Sequence, residues 1–93
     1  MFVGILKRMR EKIRTRQYVM TLHAEEEMSD EGFTVYDVEG GILTGHIVER
    51  QKDRETDEWK YVLHGRSIVG KHIAIVAKMS VTGKLVIITV YEP

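Results

Sequence analysis

Apolar residues recur at helical spacing from the start of the chain. Phe2, Ile5, Leu6, Met9 and Ile13 share one side, and Lys7, Arg8, Arg10, Lys12 and Arg14 fill the other positions. The pattern predicts a basic amphipathic helix over residues 2–14, whose narrow apolar stripe makes it the least anchored element. Residues 17–22 are few and rich in β-formers, and read as a first strand. The chemistry changes at His23, and residues 23–31 read as a helix that Gly32 ends in a left-handed conformation. Thr34, with Asp37 three residues on, makes a capping-box-like start for a third helix packed through Val35, Val38 and Ile42. Gly40 and Gly41 lower helix stability, so this helix is expected to fray toward Gly45.

From His46 onward the period shifts toward two. Residues 47–52 and 58–66 read as strands around a polar turn, and residues 72–80 and 84–91 as a hairpin turning at Gly83. Residues 73–77 and 85–90 are nearly continuous apolar runs, which predicts central strands covered by helices on both faces. The fold class is therefore α+β: N-terminal helices packed on an antiparallel β-sheet. One domain over residues 1–93 is expected, with a basic helix at 1–16 and a helix-plus-sheet core at 17–93.

Composition narrows the function. The chain is 43% hydrophobic and 30% charged, its one proline is Pro93, and it has no cysteine. A disulfide framework and a thiolate metal site are excluded, and a reducing compartment fits. Its apolar runs are too short for a signal or spanning segment, so a soluble cytoplasmic protein without membrane attachment is expected. Net charge is zero, which argues against strong nonspecific nucleic-acid binding. The charges are nevertheless segregated. Residues 1–22 hold six Lys/Arg and one Glu, residues 23–39 hold seven Asp/Glu and no Lys/Arg, and residues 40–93 hold eight basic and six acidic side chains. A basic face for RNA beside an acidic surface for a partner fits that order; so does ordinary solvated charge on helices.

Alternation puts Lys60, Val62, His64 and Arg66 on one face of a strand. A ribonuclease that uses the substrate's own 2′-hydroxyl needs a base near it, cations at the phosphate oxygens and an acid at the leaving oxygen. Lys, His and Arg supply those types, although any strand with one wet face shows such alternation. His23, at a strand-to-helix junction, suits a helix cap, a partner for Glu26 or Glu27, or a proton carrier, with capping favoured from position alone. His23 with Glu26 is too small a set for a metal site, and Thr82-Gly83-Lys84 lacks the upstream glycine and following helix of a phosphate loop. Tyr91 ends the last strand, where a phenol could reach a cleft or pack at the sheet edge.

The string Leu22-His-Ala-Glu-Glu-Glu-Met28, then Gly32-Phe-Thr34, Asp37-Val38 and Ile42-Leu-Thr-Gly45, resembles the domain-of-unknown-function 4258 family. Ile47-Val-Glu-Arg50, Glu58-Trp-Lys-Tyr61, Gly65 and residues 82–91 extend the resemblance over roughly residues 18–92. Relatives often carry Arg where this chain has Glu27 and Glu31, so an arginine role there does not carry over. The resemblance implies a RelE-like fold, related also to the MqsR-like toxins, with RNA on the open face of the sheet. It also implies a cognate antitoxin of the YgiT type, with a zinc ribbon and a helix-turn-helix.

Together these lead to an expected metal-independent endoribonuclease toxin of a type II toxin–antitoxin pair, without a cofactor. His23, His64, Arg66 and Tyr91 are the candidate catalytic residues, and Lys60 and Lys78 the candidate RNA-binding residues. The alternatives are a non-catalytic protein- or RNA-binding module of the same fold, and a small regulatory protein that dimerises through its sheet edge.

Overall fold

The computed structural model describes residues 2–93. Helix α1 (Val3–Arg14) follows the predicted stripe and buries Met9 and Ile13, with Lys12 and Arg14 in its last turn, where the helix dipole favours cations. Strand β1 (Tyr18–Met20) leads into helix α2 (Leu22–Asp30). The α2 cap is Thr21, not His23: the Thr21 hydroxyl accepts from the Ala24 N–H at 3.1 Å. Extended backbone at Thr21 aims its side chain at the orphan N–H groups, whereas His23 already lies inside the first turn.

Helix α2 ends in a double turn in which Gly32 N–H donates to Ser29 C=O and Phe33 N–H to Met28 C=O. Gly32 sits at φ 75°, a conformation glycine adopts without penalty, and the turn delivers Phe33 into the core. Helix α3 (Val35–Thr44) opens with the expected capping box, in which Thr34 and Asp37 satisfy each other's backbone amides. The helix does not fray at Gly40 and Gly41. A methyl group on Gly41 would lie 2.6 Å from Ile73 Cγ2, so the missing side chain lets α3 settle onto the sheet, and packing outweighs propensity.

Strands β2 (His46–Lys52), β3 (Trp59–Arg66), β4 (His72–Met79) and β5 (Leu85–Tyr91) pair antiparallel as a meander. The sheet order is β1-β5-β4-β3-β2, and β1 adds a parallel edge through Tyr18 opposite Leu85. The sheet is thus mixed, its antiparallel part lying in residues 46–91 as expected.

One face of the sheet holds the core. Met9 and Ile13 of α1, Ala24 of α2, and Val38 and Ile42 of α3 pack over Leu63, Ile73, Ile75, Ala77, Leu85, Ile87 and Val90. The expectation that β4 and β5 are covered by helices on both faces does not hold. On the far face Val76, Val86 and Thr89 are only half-buried, and Lys78 and Tyr91 alternate with them. Within the run at 73–77, Ala74 is buried on that face, and it lies between β3 and β5, opposite His64 and Tyr91, rather than beneath a helix. No helix among the described residues is long and apolar enough to cross a membrane.

Candidate nucleic-acid interface

The open face is organised by the register of β2, β3 and β4. Alternation along β3 sends Lys60, Val62, His64 and Arg66 away from the helices, as expected. Pairing then sets His46 directly opposite His64, and His72 directly opposite Arg66. Directly paired side chains in antiparallel strands have Cβ atoms about 4.5–5.5 Å apart, and diagonal ones about 7–8 Å. Three of the four histidines and Arg66 therefore share one end of the face. With Thr44 and Gly65 they line a shallow cavity of about 300 Å³ that contains no carboxylate.

That end of the sheet is braced by α3. Gly65 faces Gly41 so closely that a methyl group on Gly65 would strike the Gly41 carbonyl, bringing helix backbone onto strand backbone beneath His64. The Thr44 hydroxyl accepts from the Arg66 N–H at 3.0 Å and donates to Gly40 C=O at 2.8 Å. The Arg66 guanidinium donates to Gly70 C=O at 3.1 Å, which aims the side chain while leaving it exposed. At the other end of α3, the buried Asp37 carboxylate also accepts from the Ile68 N–H at 3.0 Å, tying the helix start to the turn that precedes His72. The Thr34 N–H holds the Asp37 carboxyl below the usual range against the opposing effect of burial, helped by the Ile68 N–H, the Thr34 hydroxyl and Lys71.

Lys60 and Lys78 lie on the same open face, at its other end. Lys60 is four residues along β3 from His64, or about 13 Å at about 3.3 Å per residue. Lys78 is already engaged with Glu58 at 3.1 Å. Asp53, in the β2–β3 turn, has its carboxyl lowered by the N–H groups of Glu55 and Thr56, with Lys60 and Lys78 contributing. These two lysines thus stand in a balanced cluster of charge, unlike Arg66.

Tyr91 is on the open face opposite Ala74, which in turn opposes His64, so it stands two strand spacings, about 10 Å, from His64. His23 is elsewhere. Its Nε2 lies 3.2 Å from Glu27 Oε1, and that same oxygen accepts from the Val90 N–H at the uncovered edge of β5. Here Glu27 satisfies an edge amide and orients an exposed imidazole, so His23 is placed with the β5 edge and not with His64. Sequence reasoning missed His46 and His72. Both open their strands, and only cross-strand register, which one sequence does not reveal, joins them to His64 and Arg66.

Among the described residues no group of three or more His, Cys, Asp or Glu is placed to hold a metal ion. The cavity instead offers imidazoles for proton transfer and a guanidinium for an anion. Against known families, the one described as "Domain of unknown function (DUF4258)" matches residues 20–92, most of the chain. No curated protein and no solved structure matches.

Proposed function

The chain belongs to the DUF4258 family, and from that premise we propose that it is an endoribonuclease of the toxin class that cleaves RNA without a metal, on the open face of its sheet. The observation that carries this reading is the convergence of His46, His64, His72 and Arg66 on one exposed cavity. In the proposed reaction the ribose 2′-oxygen attacks the adjacent phosphorus and its proton passes to one imidazole. The bond from phosphorus to the 5′-oxygen breaks as a second, protonated imidazole donates to that oxygen. The products are a 2′,3′-cyclic phosphate and a free 5′-hydroxyl.

His64, central in the cavity, is assigned as the base and His46, its cross-strand partner, as the acid. Arg66 gathers the charge that builds on the phosphate oxygens. Tyr91 is a stacking platform for a neighbouring base, and Lys60 and Lys78 guide the strand from a distance. The reading also carries a cytoplasmic location and a cognate zinc-ribbon and helix-turn-helix antitoxin.

The test is cleavage of a 5′-labelled RNA by the purified protein in excess EDTA, with the product ends identified chemically. Cyclic-phosphate ends with wild type, and a loss of about a hundredfold with His64→Ala or Arg66→Ala, are expected. Absence of cleavage by wild type, or variants that cleave as fast as it does, would overturn the proposal.

A further inference from the structure

Helix α1 lies outside the residues that match the family, and beside its core-facing side it presents a flank that shares Leu6 with the core and leaves Val3, Lys7 and Arg14 exposed. Val3, Leu6, Lys7, Arg10 and Arg14 recur at i, i+3, i+4, i+7 and i+11, so they form one stripe along the helix. That stripe is one wall of a groove against the start of β2. One stretch, of about 440 Å³, is lined by these five residues and His46; the adjoining stretch, of about 430 Å³, is lined by Phe2, Val3, Leu6, His46 and Ile47. Val3, Leu6 and His46 belong to both, so the groove is continuous.

Its floor is apolar and its rim is of one sign. Val3 is 75% exposed although it faces other aliphatic side chains. The rim carries Lys7, Arg10 and Arg14 and no carboxylate. The ion pairs of the described residues are His23–Glu27, Lys52–Asp57, Lys71–Glu92 and Lys78–Glu58, so none of the three rim cations is neutralised. Arg10 is partly committed, since it donates to Ile42 C=O at 3.3 Å and to Gly45 C=O at 2.7 Å, satisfying the carbonyl end of α3. Lys7 and Arg14 are exposed and pair with no side chain among the described residues.

We propose that this groove is a docking site for an acidic amphipathic helix of a protein partner. Aliphatic side chains spaced three and four apart would fill the floor over Val3, Leu6 and Ile47, and glutamates along their flanks would meet Lys7 and Arg14. The apolar floor favours a peptide over a polynucleotide, whose backbone would leave that floor uncovered. The occupant reaches His46, which also lines the open-face cavity, so the two surfaces meet at one residue. The docking site stands on the groove alone and does not require that the chain cleave RNA.

The test uses a synthetic peptide of about 18 residues, with Leu at i, i+3, i+4 and i+7 and Glu elsewhere, labelled for fluorescence anisotropy. The controls are its Lys-for-Glu counterpart, a peptide of residues 22–31 of this chain, and a single-stranded RNA. Saturable binding of the acidic peptide that weakens with salt is expected, with at least about a tenfold loss in K7E/R14E. In ¹³C-resolved spectra of the wild type, the Leu6 methyl and His46 ring signals should move on binding. No saturable binding, equal binding of the Lys peptide, or shifts confined to other residues would overturn the proposal. Preferred binding of the residue 22–31 peptide would make a second copy the occupant, and RNA that by itself moves the Leu6 methyl signal would make it a polynucleotide; either result overturns the acidic-partner assignment. The spectra decide the matter even if K7E/R14E fails to fold.

Discussion

The two ends of β3 carry the same kinds of side chain on the same open face, yet they are built differently. At one end Lys60 shares the open face with Lys78, which is held by Glu58, with Asp53 nearby. At the other, Arg66 and three histidines line a cavity free of carboxylates, over a helix and strand whose backbones touch at Gly41 and Gly65. A cation with a carboxylate at 3.1 Å has its field largely spent, whereas one whose guanidinium meets only a carbonyl keeps its charge for a ligand. Sequence alternation selects the face of a strand; the neighbours in space select the end of it.

The comparison breaks most simply in a cleavage assay. His64→Ala is expected to lower the rate by a hundredfold or more, and Lys78→Ala by less than about threefold, because the first removes the proposed proton carrier and the second a charge already balanced. Equal losses would erase the distinction between the two ends.

Gly65→Ala probes the scaffold under the histidine end. The new Cβ would lie 3.0 Å from Gly41 Cα and closer still to its carbonyl group, so α3 must lift. A loss on the order of 3 kcal/mol is expected, which lowers Tm by roughly 12–24 °C in a domain of this size. Wild-type Tm would mean that the helix is free to move away.

Asp37→Asn gives a smaller change with a pH signature. The folded carboxyl has a lowered pKa, so its contribution is complete above the ordinary aspartate range and is lost as pH falls through the folded value. The variant should be less stable than wild type by about 1–3 kcal/mol at pH 7, since it leaves amides of Thr34 and Ile68 poorly paired. The gap should close in acid, measured by urea unfolding at a series of pH values. The smallest effect belongs to Glu58→Gln, expected to cost less than about 1 kcal/mol because the pair it breaks is partly exposed.

What was legible in the sequence was local. The capping box of Thr34 and Asp37, the turn at Gly32 and the alternation of β3 each depend on residues a few positions apart, and each stands where the pattern put it. His23 was misplaced as a cap because Thr21 had been read as strand, although a threonine before a helix is the stronger cap. The parallel edge at β1, the seating of Gly41 on Ile73 and the salt bridge of Lys78 all join distant parts of the chain. So does the assembly of His46, His64 and His72: each histidine is visible in the sequence, but their meeting depends on register, which tertiary packing sets.

The most direct measurement is a titration of the wild-type protein with a short RNA carrying a 2′-deoxyribose at the cleavage position, followed through the histidine ring and tryptophan indole signals in NMR spectra. The rings of His46, His64 and His72 should shift together and saturate, while His23 and Trp59 stay in place. Shifts centred on Trp59 or His23, with the three cavity histidines unmoved, would contradict the placement of RNA at this end of the sheet.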